Sequence, residues 1–337
     1  MAGTLHGFGL GVASKNAKGD VLDVFYPAPL ANISGDLVSI FDGVSGELKA
    51  TEIRALSDGL RSAGEHALAD IAVRLGEAGR PVVASLLADN AAPQTVADAY
   101  LKLHLLSHRL IKPHGTDLTG MFALLPNVAW TDEGPIDLAE LADRQLTSRL
   151  KGRVLEVASV DKFPKMTNYV VPSGVRIAHT ARVRLGAYLG SGTTVMHEGF
   201  INFNAGTDGP GMIEGRISAG VMVGKGSDLG GGCSTMGTLS GGGNIIISVG
   251  ESCLLGANAG LGIPLGDRCT VEAGLFVTAG TKVTVLDDAR EAVETLAARH
   301  LSGQSDLLFR RNSQSGSVEC LTNQTAIELN ESLHDNN

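Results

Sequence analysis

The sequence predicts a left-handed parallel β-helix of hexapeptide repeats, with an N-terminal α/β domain before it and a short C-terminal helix and hairpin after it. Three observations lead to this fold class. An aliphatic residue recurs at every sixth position through most of residues 171–283. Glycine accounts for 44 of 337 residues, well above its usual share of roughly 7 %, and is concentrated in the same region. The part of the chain before it combines helical and strand-like apolar patterns.

The period of six distinguishes the repeat region from helices and ordinary strands. A helix repeats every 3.6 residues and a half-buried strand every two, whereas three six-residue faces make one triangular coil of about 18 residues. The aliphatic residues point inward and stack between coils, because one coil cannot bury its core alone. Inward positions are predicted at Val171, Ile177, Val183, Leu189, Val195 and Ile201, and again at Ile217, Val223, Leu229, Ile247, Cys253, Ala259, Leu265, Val271, Val277 and Val283.

Two interruptions of the period mark candidate functional segments. The first run predicts inward residues at 207 and 213, but the second run begins at Ile217, so the register shifts by four residues within 207–217. The second interruption, 235–244, occupies two repeats without aliphatic residues, and the phase continues after it. We expect a loop outside the coil there. Loops held by a rigid scaffold often carry binding groups.

The first half of the chain predicts an α/β domain of the βαβα type. Apolar residues at helical spacing predict helices over 51–77 and 95–112. Short apolar runs bounded by Gly, Pro and Asn predict strands over 10–13, 21–26, 37–41 and 81–87. Alternating helices and strands favour a layered domain with one core.

The patterns divide the chain into four parts. These are an N-terminal α/β domain over 1–115, a connecting segment over 116–167, the β-helix over 168–286, and a C-terminal helix and hairpin over 287–337. Within the last part, a helix is predicted over 287–300 and a hairpin with strands over 307–311 and 317–321.

Composition excludes several classes of protein. The net charge of −9 argues against a general nucleic-acid binder. The sequence has no 18-residue apolar stretch and no signal-peptide pattern, so we expect no membrane partner. Four cysteines without CxxC spacing indicate buried free thiols in a reducing compartment. A cytoplasmic location is therefore expected.

Glu214 lies inside the first interruption, two residues before Arg216. A carboxylate beside an arginine on an irregular segment suits a general base or a nucleophile. The alternative is a surface salt bridge between the two side chains.

Two histidine pairs are candidate metal ligands. His179 and His197 are separated by one full coil, so they occupy equivalent positions on neighbouring coils. A zinc site, as in β-helical hydratases, would need a third histidine, and the repeat region has none. Glu198 offers oxygen ligands for a hard cation. His104 and His108, four residues apart on a predicted helix, favour a surface pair over a metal site.

Arg310 and Arg311 form a basic turn in an acidic protein, followed by Asn312 and Ser313. Paired arginines bind phosphate groups well through bidentate hydrogen bonds. A solvated hairpin turn is the alternative interpretation.

Specific strings narrow the fold-level analogy to hexapeptide-repeat acyltransferases, most of which use CoA or acyl carrier protein. They are MHEGFINFNAG (196–206), MIEGRISAG (212–220), GTLSGGG (237–243), LLGAN (254–258) and LFRRNS (308–313). These strings resemble the tetrahydrodipicolinate (2,3,4,5-tetrahydropyridine-2,6-dicarboxylate) N-succinyltransferase family, in the branch typified by actinobacterial enzymes. The resemblance is strong over about 165–320 and looser before that.

The resemblance implies a homotrimer with active sites between adjacent β-helices. It implies transfer of succinyl from succinyl-CoA to ring-opened tetrahydrodipicolinate (2-amino-6-oxopimelate), a dicarboxylate, on the succinylase route to diaminopimelate and lysine. The residue matching the family's catalytic carboxylate is Glu214, acting as general base or as the nucleophile of an acyl-anhydride. Backbone N–H groups near 231–234 would then stabilise the oxyanion.

The resemblance also assigns ligand contacts. Those to succinyl-CoA fall on Arg216, Gly231, Ser234, Ala257, Glu272, Ala273, Gly280, Arg310, Arg311, Asn312 and Ser313. Relatives that hold Mg²⁺ on the three-fold axis pair the residue matching Glu198 with an Asp. That position is Ala181 here, so Mg²⁺ would lack one of its usual ligands.

Three alternatives stay open from the sequence. An acyltransferase for nucleotide sugars or antibiotics would prefer an amino-sugar acceptor. A β-helical hydratase would contain zinc. A non-catalytic solenoid would turn over no CoA thioester.

Overall fold

The computed structural model describes residues 4–237 and 245–322 and divides into two compact units. One unit comprises Met1–Pro164 with Asn168–Val170, and the other comprises Lys165–Thr167 with Val171–Asn337. The finer four-part division of the chain stays a prediction.

The first unit mixes helices with two antiparallel sheets. Its elements are β1 (Leu5–Lys15), β2 (Val21–Phe25), β3 (Leu30–Ile33), α1 (Asp36–Phe41), β4 (Gly46–Glu47), α2 (Ala50–Ser62), α3 (His66–Glu77), β5 (Val82–Leu87), α4 (Val96–Ser107), α5 (Met121–Leu124), β6 (Val128–Thr131), β7 (Gly134–Asp137), α6 (Leu138–Leu150) and β8 (Val157–Asp161). One sheet has the order β2-β1-β5-β4, with β3 also paired to β1, and the other has the order β7-β6-β8. The strands of both sheets pair antiparallel, although alternating helices and strands of the βαβα type usually form a parallel sheet.

Two local predictions in this unit were wrong. Residues 37–41, predicted as a strand, lie in α1, because the buried Phe41 stacks on Phe8 with ring centroids 3.9 Å apart. The predicted single helix over 51–77 is two helices. Gly64 adopts φ +85°, and the Glu65 N–H reaches back to the Leu60 carbonyl at 2.9 Å, which ends α2 before α3 begins. None of the helices in residues 4–237 and 245–322 has the length and hydrophobicity required to cross a bilayer.

The His104–His108 pair is not the surface pair that the sequence predicts. His104 on α4 is fully buried, and its Nε2 accepts the Tyr26 backbone N–H at 3.2 Å, while its Nδ1 lies 2.8 Å from the Tyr100 carbonyl oxygen. The acceptor role of Nε2 requires the neutral imidazole with its proton on Nδ1. Burial lowers the pKa of His104 to about 3 and also lowers the pKa of His108.

This buried imidazole predicts an acid-sensitive N-terminal unit. The folded-state pKa of His104 lies below its ordinary value of 6.5, so the stability it contributes is present above about pH 6.5 and is lost as pH falls. The slope approaches about 1.4 kcal/mol per pH unit. We expect His104→Gln, which keeps a donor and an acceptor, to flatten the fall in the free energy of unfolding between pH 7 and pH 5, as measured by urea titration.

The exposed His66 provides the matched control, and His66→Gln should leave the slope unchanged. Asp23 acts in the opposite direction, because burial raises its pKa although its carboxylate accepts the Tyr169 O–H at 2.6 Å. Equal slopes in the wild type and in His104→Gln would show that protonation of His104 does not destabilise the fold.

The second unit is a three-sided parallel β-helix. Face I contains Arg176–Ile177, Thr193–Val195, Gly211–Ile213, Asp228–Leu229, Leu254–Leu255, Thr270–Val271 and Leu307–Arg311. Face II contains Phe200–Ile201, Arg216–Ile217, Ser234–Thr235, Gly260–Gly262 and Phe276–Thr278. Face III contains Ala187–Leu189, Ala205–Thr207, Met222–Val223 and Ser248–Val249. Neighbouring coils pair in parallel on every face, as the period of six predicts.

Every predicted inward residue from Val183 to Val283 is buried. The two earlier predicted positions are not buried: Ile177 is half-buried, and Val171 has 63 % of its surface exposed because it precedes the first paired strand of face I. The four cysteines are free and buried, as expected.

The coils differ in length, and the differences locate the interruptions. Val195 pairs with Ile213, a full coil of three repeats later, but Ile201 pairs with Ile217, so that coil is shorter by two positions. Ile217 therefore follows Ile213 after four residues instead of the six of the regular repeat. This short step is the register shift predicted from the sequence, and the corner that it forms contains Glu214.

The second interruption lengthens a coil. Thr235, itself a buried strand residue, pairs with Leu261, which lies well over one coil length further along the chain. Residues 238–244 of the predicted loop lie outside the described residues. The phase does not continue unchanged: after the interruption the residues that pair between coils are Val249, Leu255 and Leu261, each two positions after a predicted one. Both sets are buried because alternate residues of a strand share a face.

The predicted C-terminal helix over 287–300 was wrong. A strand over Ala292–Ala297 pairs antiparallel with Lys282–Leu286, and a 3₁₀ turn over Ala298–Leu301 follows. The Asp287 carboxylate accepts the N–H groups of Ala289 and Glu291, which fixes a turn where the pattern predicted a helix. The predicted hairpin is confirmed, with Leu307–Arg311 paired antiparallel to Val318–Thr322.

Candidate active site

Most of the residues singled out in the sequence lie along one edge of the β-helix, the corner between faces I and II. Successive coils are joined there by backbone N–H to carbonyl bonds of 2.8–2.9 Å. They run from Met196 to Ile213, Glu214 to Leu229, Gly230 to Leu255, Gly256 to Val271, and Glu272 to Phe309. Residues from widely separated parts of the sequence are thereby stacked in one column, which we call the I–II edge.

Glu214 is held at the shortened corner of this edge. A methyl group on the next residue, Gly215, would clash with Cys233 Sγ and lie 2.7 Å from the Cys233 carbonyl oxygen, so only glycine fits. Glu214 Oε2 lies 3.4 Å from the point where a side chain on Gly231 would begin. Gly231 therefore leaves the carboxylate room beside the next coil.

The Glu214 carboxylate makes no hydrogen bond or ion pair with another residue in the described ranges 4–237 and 245–322. Arg216 extends from face II instead, and its backbone N–H donates to the Cys233 carbonyl at 2.8 Å. The surface salt bridge offered as an alternative is therefore not formed. Burial raises the pKa of the intervening Cys233 thiol to about 12, so this thiol is protonated at neutral pH and is a poor nucleophile.

Ser234 lies beside Arg216, because the two residues pair directly on face II. Ala257 and Ala273 are exposed on the I–II edge, where the Gly274 N–H donates to the Ala257 carbonyl at 2.8 Å. Gly280 is also exposed, but it follows the last strand of face II and so lies at a different corner.

The basic turn of the hairpin is only partly available to a ligand. Arg310 forms an ion pair with Glu319 at 2.8 Å, and Asn312 Nδ2 donates to the same carboxylate at 2.8 Å. These two groups, Asn312 first, hold the pKa of Glu319 below its usual range. Arg311 is exposed, and its backbone N–H donates to Glu272 Oε2 at 2.7 Å. Ser313 is exposed beyond it.

The candidate metal ligands do not form a metal centre within one chain. Glu198 Oε2 lies 3.4 Å from Arg182 Nη2, and Ala181 offers no side-chain oxygen. His179 and His197 occupy equivalent corner positions, as predicted, since the strands before them pair at Ile177 and Val195. Among the described residues, no group of three His, Cys, Asp or Glu side chains could hold a metal ion.

Sequence reasoning missed the side chains on the outer side of face II. Phe200 pairs there with Arg216 of the next coil, and Arg182 occupies the matching position on the coil before Phe200. The Arg184 guanidinium, from the same coil as Arg182, lies 5.8 Å from the centroid of the Phe200 ring. The signal was available, because outward residues alternate with the inward residues Val183 and Ile201 of the six-residue period.

Stacked hexapeptide faces, with a carboxylate at a shortened corner, define a hexapeptide-repeat β-helix protein. Comparisons with known proteins agree. Residues 125–165 match the family model "Tetrahydrodipicolinate N-succinyltransferase middle", and residues 246–279 match "Hexapeptide repeat of succinyl-transferase".

Full-length relatives identify the family within that class. The chain is 63 % identical to the 2,3,4,5-tetrahydropyridine-2,6-dicarboxylate N-succinyltransferase of Pseudomonas paraeruginosa, covering 100 % of both chains. It is 57 % identical to the enzyme of the same name from Vibrio cholerae, covering 98 % of both. The chain belongs to this family of N-succinyltransferases, and is therefore an acyltransferase. The narrower assignment to the actinobacterial-type branch stays a prediction.

A solved structure agrees with the fold. A crystal structure from Campylobacter jejuni, described as a 2,3,4,5-tetrahydropyridine-2-carboxylate N-succinyltransferase, is 33 % identical with a TM-score of 0.87. The alignment covers 96 % of this chain and 93 % of that one.

Proposed function

We propose that the protein transfers succinyl from succinyl-CoA to the amino group of ring-opened tetrahydrodipicolinate, with Glu214 as its catalytic carboxylate. The observation that carries this proposal is the Glu214 carboxylate, which is held at a shortened corner without a partner among the described residues. The names of the full-length relatives supply the substrates. The reaction would belong to diaminopimelate and lysine biosynthesis in the cytoplasm. The assembly would be a homotrimer of left-handed β-helices with active sites between subunits.

Two routes satisfy the chemistry. As a general base, Glu214 takes a proton from the acceptor amine while the amine nitrogen attacks the thioester carbonyl. The C–S bond then breaks and releases CoA thiolate. As a nucleophile, the Glu214 carboxylate attacks the thioester first and expels CoA thiolate. The amine then attacks the resulting anhydride, forms the amide and restores the carboxylate. A proton from the amine ends on the departing thiolate or on solvent in either route.

The oxyanion formed in either route needs a hydrogen-bond donor. The N–H groups of Gly232, Cys233 and Ser234 already donate to backbone carbonyls. The Gly231 N–H has no acceptor among the described residues, and Gly231 lies beside the Glu214 carboxylate. We therefore assign oxyanion stabilisation to Gly231, a contact worth roughly 3–4 kcal/mol in other acyl-transfer enzymes.

Magnesium does not fit the ligands of one chain. The Glu198 carboxylate is already paired with Arg182, and Ala181 replaces the usual second oxygen ligand. A hard cation prefers several oxygen ligands. No step of the proposed reaction depends on a metal.

The test is release of CoA thiol from succinyl-CoA in the presence of tetrahydrodipicolinate, run beside acetyl-CoA and with or without EDTA and added Mg²⁺. We expect release with succinyl-CoA, little with acetyl-CoA, and no effect of chelation. Absence of release with either donor, from protein of native mass, would reject the proposed reaction. Loss of activity in EDTA, restored by Mg²⁺, would reject the metal-free mechanism alone.

Arg311 and Arg310 should behave differently when replaced by alanine. Arg311→Ala is expected to raise KM for succinyl-CoA more than it lowers kcat, because its exposed guanidinium is placed to bind a CoA phosphate. Arg310→Ala should instead lower the melting temperature, because it leaves the Glu319 carboxylate without its ion-pair partner. Steady-state kinetics and thermal unfolding of both variants check this.

Succinyl-dephospho-CoA, which lacks the 3′-phosphate, identifies the group that Arg311 contacts. If Arg311 binds that phosphate, Arg311→Ala should leave KM for the dephospho donor unchanged. A change in kcat without a change in KM would reassign the turn to catalysis or folding.

A further inference from the structure

The outer side of face II carries a row of residues that ends in an exposed aromatic ring. The strand pairings align Arg216, Ser234, Gly260 and Phe276 on four successive coils. Arg216 and Ser234 are expected to contact succinyl-CoA, whereas the proposed reaction gives Phe276 no role. The Phe276 side chain has 47 % of its surface exposed, so part of the ring is available to a ligand.

Glycines next to the ring fix its position. Gly260 and Gly262 flank the inward residue Leu261, so the strand of this coil has no side chain on its outer side. A methyl group on Gly260 would clash with the Phe276 ring, and one on Gly262 would lie 2.6 Å from Met236 Sδ. The two apolar side chains therefore lie against the backbone of this strand. Glycine inside a strand often marks a place where a ligand or another backbone approaches closely.

The ring lies beside the path that the donor would follow in the proposed reaction. Glu214 and the exposed turn at Arg311 lie on the I–II edge four coils apart, which is about 19 Å at a strand spacing of about 4.8 Å. The pantetheine arm of CoA is a chain of about 13 bonds and spans about 15 Å when extended, since three backbone bonds span roughly 3.5 Å. A donor with its thioester at Glu214 and its phosphates at Arg311 would therefore lie along this edge.

The order of groups in the donor matches the order of the coils. Phe276 belongs to the coil that pairs directly with the hairpin strand carrying Arg311. In CoA, the pantoyl segment follows the phosphates directly, and one of its carbons carries two methyl groups. The branched apolar segment would thus lie at the level of the ring, while the two amides of the arm would lie nearer to Glu214.

We propose that Phe276 forms the subsite for the pantoyl segment of succinyl-CoA, with the exposed part of its ring packed against the two methyl groups. This inference rests on the proposed function and names the part of the donor that the ring recognises. Contact with an aromatic face removes the methyl groups from water. The contact is the same before and during the reaction, so its loss should raise KM and leave kcat unchanged.

The test uses succinyl-CoA and an analogue in which hydrogens replace the two pantoyl methyl groups. The wild type should prefer succinyl-CoA in kcat/KM by about 5- to 15-fold. Phe276→Ala should lose most of this preference through a higher KM for succinyl-CoA, and Phe276→Tyr should keep it because it keeps the ring. Equal kcat/KM for both donors in the wild type would overturn the proposal without any variant.

Val293→Ala is the matched control, because it shortens another exposed apolar side chain of the same unit. It should leave the preference between the two donors unchanged. Equal losses for both donors in Phe276→Ala would overturn the proposal. A lower native mass of that variant in light scattering would then assign the ring to packing between copies of the chain.

Binding of CoA, which carries no succinyl group, separates this proposal from the proposed reaction. Calorimetry should show that the wild type binds CoA about 5- to 15-fold more tightly than CoA without the two methyl groups, and that Phe276→Ala removes this difference. The difference in affinity without any turnover would reject the reaction and keep the subsite. Turnover without the difference in affinity would keep the reaction and reject the subsite.

Discussion

Glu214→Gln is expected to lower kcat by about 10²- to 10⁴-fold while leaving affinity for succinyl-CoA nearly unchanged. Glutamine has the same size but cannot take a proton, and it is a far weaker nucleophile than a carboxylate. The carboxylate makes no ion pair with another described residue, so its loss should not destabilise the β-helix. Thiol-release kinetics and thermal unfolding of the variant measure the two effects separately.

Glu251→Gln serves as the control for Glu214→Gln, because Glu251 is an exposed carboxylate at another corner of the same β-helix. It should retain wild-type turnover. Near-normal turnover of Glu214→Gln would remove Glu214 from both proposed routes. Mass spectrometry of protein quenched with succinyl-CoA and no acceptor then separates the routes, since only the anhydride route attaches one succinyl group to the protein.

Much of the β-helix followed from local sequence, because each coil repeats the same physical requirement. An inward position must be filled by a small or aliphatic side chain every six residues, so the faces and most buried positions could be predicted. The register shift at Glu214 could also be predicted from the sequence. The step from Ile213 to Ile217 is four residues instead of six, and the two missing residues displace every later inward position. The column of residues along the I–II edge follows from the same period.

Positions decided by tertiary contacts could not be read from periodicity. The segment over 287–300 has a helix-compatible composition, yet Asp287 fixes a turn and Ala292–Ala297 adds to a sheet edge supplied by Lys282–Leu286. Arg310 had the charge expected of a phosphate ligand, but its partner Glu319 comes from the opposite strand of the hairpin. Cross-strand partners depend on the register of a turn, which a single-residue pattern does not specify.

In the candidate site, too, some features could be predicted from the sequence and others depend on tertiary contacts. Sequence placed Glu214 and Arg216 near each other because they are two residues apart. The contact of Arg184 with Phe200 joins different coils, and the separation of the Glu214 and Arg216 side chains depends on which way each faces at a corner. Those directions are set by the shortened corner rather than by either residue alone.

Gly215→Ala tests the shortened corner that holds Glu214, and we expect it to lower both stability and turnover. The added methyl would clash with Cys233 Sγ and lie 2.7 Å from the Cys233 carbonyl oxygen, so neighbouring coils must move apart or the corner must rotate. Overpacking of this kind costs about 1–3 kcal/mol. A displacement of the Glu214 carboxylate by about 1 Å would lower turnover by about 10²-fold. We expect a lower melting temperature together with a lower kcat.

The double variant Gly215→Ala with Cys233→Ala separates the two contacts. Removing Sγ relieves the side-chain clash but leaves the carbonyl oxygen in place, so stability should recover only in part. Gly280→Ala is the control for stability, because its added methyl would meet no atom within 4 Å. If Gly215→Ala kept both wild-type stability and wild-type turnover, the glycine would not be what holds the Glu214 carboxylate in position, and the shortened corner would lose its link to catalysis.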